Sequence, residues 1–139
     1  MLDLYYKIWV DAITSAKAKK SQPGNWKLYT IVPISLLQGI NLFTFFYWMK
    51  KLVNHNLPLF LNVNILNYRL INYFISIVLT LFIPFVILNY LLIFSNDRYQ
   101  GLLPKYKKQN GKLYKKYALL TLGIWLVPII IENLYFKIL

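Results

Sequence analysis

Three stretches of the chain are apolar for twenty or more residues, and polar or basic segments separate them. The first runs over residues 28–49 and the second over residues 70–94, both without a charge. The third runs over residues 117–136 and contains one acid, Glu132. At a rise of 1.5 Å per residue, the first stretch alone covers roughly 33 Å as a helix, enough for a hydrocarbon core of about 30 Å. Trp26, Lys27, Tyr47, Trp48, Lys50 and Lys51 flank it, as residues that sit at headgroup level do. The pattern predicts three transmembrane helices. Each contains one proline, Pro33, Pro84 and Pro128, at a different depth, so no internal duplication is read. Pro33 leaves the carbonyl of Tyr29 without its helical donor, and Pro84 should kink the second helix and free the carbonyl of Thr80.

The segments between the spans have patterns of their own. Residues 1–22 predict an amphipathic helix. Leu2, Tyr5, Ile8, Trp9, Ala12, Ile13 and Ala16 fall on one arc, with Asp3, Lys7, Asp11 and Thr14 opposite. Asp3, Lys7 and Asp11 have the i,i+4 spacing that supports a helix. Lys17, Lys19 and Lys20 suit its C-terminal end, and Pro23-Gly24 breaks it. It is too polar to span and lacks the apolar centre of a signal peptide. The expectation is a helix lying in the membrane interface, with Trp9 and Tyr5 at headgroup depth; a soluble helix packed on a partner is the alternative. Residues 52–69 are an outer connector, apolar but punctuated by Asn54, Asn56, Asn62, Asn64 and Asn67. It is too short after Pro58 to span, so it should lie flat at the interface or dock on a partner. Residues 95–116 are a basic loop broken by Gly101, Pro104 and Gly111.

The expected fold is therefore all-α: an integral membrane protein with an N-terminal interfacial amphipathic helix and three transmembrane helices. Composition agrees. Of 139 residues, 58% are apolar and 14% charged, where soluble domains average about 45–50% and about 25%. A soluble globular domain and a disordered chain are excluded. The richness in Phe, Ile, Asn, Lys and Tyr suits an AT-rich, bacterial genome.

Charge sets the orientation. Sixteen Lys and Arg face four acids. Three spans place the N-terminal segment and residues 95–116 on one side, and these carry all but Lys50, Lys51, Arg69 and Lys137. Short cytoplasmic segments retain Lys and Arg, so the N-terminus should be cytoplasmic and the C-terminus outside, in a cytoplasmic (inner) membrane. Lys105, Lys107, Lys108, Lys112, Lys115 and Lys116, interleaved with Tyr106 and Tyr114, are the candidate contacts with anionic lipid headgroups, worth about 1 kcal/mol each near the surface. An acidic partner surface is a second reading of the loop. RNA is a third, weaker one, because a chain mostly in lipid has its basic loops at headgroup level.

Reactive chemistry has little material. The chain has no cysteine, and His55 is its single histidine. The four acids are far apart, and there is no glycine-rich phosphate loop. No catalytic residue, cofactor site or metal site is expected, and the chain is not read as an enzyme. Polar residues inside the spans are the more informative candidates, because hydrocarbon forces each to find a partner. In the first span Gln38 and Asn41 stand out, beside Thr30, Ser35 and Thr44. In the second, Asn72, Ser76 and Thr80 form an i,i+4 stripe; in the third, Thr121 and Trp125 belong to a stripe that reaches Glu132. Such stripes either pack helices, at about 0.6 kcal/mol per hydrogen bond, or line a pathway. Arg69 and Glu132, at the outer ends of their spans, form a candidate charge pair. The expected function is a small integral subunit or accessory, scaffold-like protein of a larger inner-membrane complex, with other membrane subunits or further copies as partners. The alternative is a homo-oligomeric pore lined by Gln38, Asn41, Ser76 and Thr80.

Overall fold

The computed structural model describes residues 2–18, 24–53 and 56–138, without the side chains of residues 132 and 135–138. The chain is all-α, 82% helical, with no strand among the described residues. Among the described residues six α-helices follow in order: α1 Leu2–Ala18, α2 Trp26–Leu52, α3 Arg69–Ile77, α4 Ile83–Asn89, α5 Arg98–Lys105 and α6 Lys112–Ile138. Three helical stretches, Trp26–Leu52, Arg69–Lys105 and Lys112–Ile131, are long and apolar enough to cross a membrane. Each overlaps one of the three apolar stretches of the sequence.

The second stretch is not a uniform α-helix. A π-turn, Val78–Phe82, separates α3 from α4, and the N–H of Ile83 bonds back to the carbonyl of Val78. Pro84 follows at once. It has no N–H for the carbonyl of Thr80, and its ring would press on that carbonyl in a regular helix; the widened turn relieves both problems. A second π-turn, Tyr90–Phe94, lies before the helix breaks. The break is at Asn96 and Asp97, both left-handed with φ of 53° and 52°. Asn and Asp tolerate that conformation better than most residues.

Contacts group the chain into two compact units: Met1–Ser35 with Val86–Leu119, and Leu36–Phe85 with Leu120–Leu139. The first unit has an apolar core of Trp9, Ala12, Ile13, Ile31, Ile34, Ile93, Phe94 and Tyr99. Trp9 meets Phe94 edge to face at 5.6 Å, and Trp26 meets Tyr99 in the same way at 5.2 Å. Lys17 places its Nζ 4.3 Å from the centre of the Trp26 ring and 4.8 Å from that of Tyr99. Five consecutive residues of α1, Trp9 to Ile13, are buried. Five residues cover the whole circumference of a helix, so the middle of α1 is enclosed rather than buried on one arc. Trp9, expected at headgroup depth, is fully buried in this core. Leu2 and Leu4, near the start of α1, are exposed. Lys19, Lys20, Pro23, Asn54 and His55 lie outside the described residues.

The second unit contains the C-terminal part of α2, the connector, α3 and the later part of α6. Two backbones approach closely at Gly39, where a Cβ would overlap the carbonyl oxygen of Leu81 in the π-turn. Only glycine lets α2 lie this close to that turn.

Candidate functional site

The polar stripe of α3 has a partner within its own chain, the connector. Residues 61–65 run without turn or bend. The N–H of Leu61 donates to Thr80 Oγ1 (3.0 Å), that of Val63 to Ser76 Oγ (3.1 Å), and that of Ile65 to Asn72 Oδ1 (3.2 Å). Every second residue of the connector therefore meets every fourth residue of the helical stretch, and the two run antiparallel. The spacings match: two extended residues advance about 6.6 Å and four helical residues about 6.0 Å. The hydroxyls can accept because their own protons are used elsewhere. Ser76 Oγ donates to the carbonyl of Asn72 at 2.8 Å, and Thr80 Oγ1 to that of Ser76 at 2.7 Å. Asn72 ends the ladder like a piece of backbone. Its Oδ1 also accepts from Leu66 N–H (2.9 Å), and its Nδ2 donates to the Leu66 carbonyl (2.6 Å).

The connector thus docks on its own chain, where a flat interfacial course or a separate partner had been expected. Phe60 secures it further, stacking on Phe43 at 5.8 Å and meeting the edge of Tyr73 at 5.5 Å. An apolar groove of about 670 Å³ lies alongside, with Ile40, Phe43, Phe60, Phe74, Leu81 and Trp125 among its lining residues. Trp125 is therefore a wall of this groove. Asn41 donates from Nδ2 to Thr121 Oγ1 at 3.2 Å, joining the first and third stripes, and Thr121 is buried. Gln38 is half-buried on α2. Arg69 opens α3 with its side chain exposed. The side chain of Glu132 lies outside the described residues, and with it the expected Arg69–Glu132 pair.

The first unit contains the polar groups that sequence reasoning missed. Asp11 is fully buried and not on an exposed polar face. Its Oδ1 accepts from the N–H groups of Gln109 and Gly111, both at 2.9 Å. Its Oδ2 accepts from those of Leu113 (2.9 Å) and Tyr114 (3.1 Å). Leu113 and Tyr114 stand in the first turn of α6, where backbone donors have no helical acceptor. Asn110 and Gly111 are left-handed, with φ of 51° and 77°, and this curls the preceding donors toward the same point. One carboxylate from α1 therefore caps α6. A second network joins Tyr5, Asn89 and Ser35. The Tyr5 hydroxyl donates to Asn89 Oδ1 at 2.7 Å, and Asn89 Nδ2 donates to Ser35 Oγ at 2.8 Å. Asn89 and Ser35 are fully buried. Burial pushes the Tyr5 phenol up to about 12.

Lys105, Lys107, Lys108, Lys112, Lys115 and Lys116 are all exposed. At the start of α1, Lys7 pairs with Asp3 at 2.6 Å. That bond, then one from the Tyr106 hydroxyl, holds the Asp3 carboxyl below the usual carboxylate range. The described residues contain no group of three or more His, Cys, Asp or Glu placed to hold a metal. No family model, curated protein or solved structure matches this chain.

Proposed function

We propose that this chain is a small integral subunit or accessory protein of a larger assembly in a bacterial inner membrane, and that it acts by helix packing rather than by chemistry. The observation that carries this reading is how little of its apolar surface the chain covers itself. In the most apolar part of the third candidate span 11% of residues are buried, against 39% in the first. Leu119, Leu120, Leu122, Ile124, Leu126, Val127, Ile129 and Ile130 are all exposed, and they occupy every side of the helix except the stripe of Thr121, Trp125 and Pro128. Lipid can cover such a surface, but a single-chain bundle of three helices has no need to leave so much of it open. Partner helices that pack on it would gain dispersion contacts that lipid tails make less well.

In this reading the N-terminus and the lysines of residues 105–116 face the cytoplasm, by the retention of Lys and Arg on that side. The exposed Leu2 and Leu4 dip into the leaflet from α1. The pore reading has less support. Ser76 and Thr80, two of its four lining residues, use their hydroxyls on the connector, and Asn41 is engaged with Thr121. Extraction in a gentle detergent, followed by mass measurement of the intact complex, tests the proposal. A fixed stoichiometric partner and no conductance in liposomes supports it. A chain that is monomeric in native membranes overturns it.

A further inference from the structure

The docked connector has a second edge. Successive N–H groups of an extended chain point to opposite sides. Leu61, Val63 and Ile65 direct theirs to Thr80, Ser76 and Asn72. Those of Asn62 and Asn64 lie on the other side and have no hydrogen-bond partner among the described residues. Asn62 and Asn64 are exposed, and their side-chain amides make no hydrogen bond among the described residues either. The depth of this edge is fixed by the helix it follows. Leu61 is anchored at Thr80, about 16 Å along the helix from Arg69. If Arg69 marks the boundary of a hydrocarbon core of about 30 Å, Leu61 lies near its centre.

Non-helical backbone is tolerated at such depth only when protein covers it or it lines a water-filled cavity. We infer that the free edge of residues 62–64, with the side chains of Asn62 and Asn64, lines a water-filled vestibule that enters the membrane from the connector's side and ends near mid-depth. The asparagine side chains favour water over a second chain. Strand pairing with another copy would satisfy the backbone edge. Side chains, however, project from the face of an extended segment and not from its edge, so the two amides would remain without partners in lipid. Water satisfies both. Leu61 and Ile65, which alternate with the asparagines, are 64% and 69% exposed and suit contact with lipid on the opposite face.

The inference rests on the reading of the three helices as membrane spans. It can be tested directly because the chain has no cysteine, so any thiol introduced is unique. Single variants Asn62→Cys, Asn64→Cys, Leu61→Cys and the rim control Asn67→Cys are expressed in membranes. They are treated with a membrane-impermeant thiosulfonate from the side that labels Asn67→Cys. A thiol in an apolar setting ionises poorly and reacts slowly, so Asn62→Cys and Asn64→Cys should label within about tenfold of the rim control and Leu61→Cys about a hundredfold more slowly. Asn62 and Asn64 make no side-chain hydrogen bond among the described residues, so these substitutions leave the docked ladder intact. If both asparagine variants stay unlabelled while Asn67→Cys reacts, the inference is overturned. A disulfide between two copies at position 62 overturns it as well, because a second chain then covers the edge. Release of the chain from membranes by alkaline carbonate is a distinct failure, that of the membrane reading itself.

Discussion

Replacing Asp11 tests the most concentrated polar interaction in the chain. The carboxylate accepts four backbone N–H groups at 2.9 to 3.1 Å, two on each oxygen, and is fully buried. Hydrogen bonds to a charged group contribute about 1.5–3 kcal/mol each, and donors left buried without an acceptor cost about 1–3 kcal/mol each. The four bonds share one acceptor and are not additive, and water entering the vacated site recovers part of the loss. Asp11→Ala should therefore cost about 4 kcal/mol, more than loss of an ordinary helix cap, which costs about 1 kcal/mol. Asp11→Asn is the sharper variant. Its volume is nearly unchanged, but its single oxygen serves one pair of donors while its NH₂ group meets the other pair, donor against donor. It should lose about 3 kcal/mol, close to the alanine variant. At about 2–4 °C per kcal/mol, the melting temperature in detergent should fall by roughly 6–12 °C. Limited proteolysis at Lys107 and Lys108 should accelerate in parallel, since the turn at Gln109 loses its anchor. A melting temperature for Asp11→Asn within 2 °C of the parent would refute the reasoning, because it would mean that the buried charge contributes nothing beyond its shape.

Three further outcomes follow from the geometry. Gly39→Ala usually stabilises a helix interior by about 1 kcal/mol; here the added methyl meets the Leu81 carbonyl, so thermal unfolding should show a loss of about 1–3 kcal/mol instead. Asn72→Ala removes the acceptor of Ile65 and Leu66 and the donor to the Leu66 carbonyl; amide exchange at Ile65 and Leu66 should speed up at least about tenfold, equivalent to about 1.4 kcal/mol, with little change at Gln109 or Gly111. Asp3 titrates below 3.8, held down first by Lys7 and then by Tyr106; its contribution to stability is therefore present above pH 3.8 and is lost as pH falls through its folded value. Carboxyl NMR of Lys7→Met should return the Asp3 midpoint toward 3.8, and an unchanged midpoint would show that the ion pair is not formed in solution.

The parts of this fold that a one-dimensional pattern could reveal are those decided by length and by neighbours. The three long helices follow from long apolar runs, and the irregular turn beside Thr80 follows from Pro84. The i,i+4 stripe of Asn72, Ser76 and Thr80 was visible as well, but its partner was not. Recognising that partner requires knowing that a connector with alternating N–H directions runs antiparallel to the helix in matching register. Asp11 was misplaced for a related reason. A helical wheel sorts residues by polarity and sets an aspartate opposite the apolar arc, whereas this one is buried because its donors lie about a hundred residues away. One signal pointed to it: α6 begins with Lys112, Lys115 and Lys116 and no acid in its first turn. An N-terminus with that composition, preceded by Asn110-Gly111, needs an anion from elsewhere.

The capping of α6 by Asp11 also orders events at the ribosome. The four donors are synthesised about a hundred residues after the acceptor. At about 5–20 residues per second, the carboxylate waits about 5–20 s for them. An ionised group does not leave water unpaired, so during that interval α1 stays outside its final enclosure while two apolar helices are already being inserted. The helix that carries the acceptor is thus seated only after its donors arrive, and the start of the third span is what closes the fold over it.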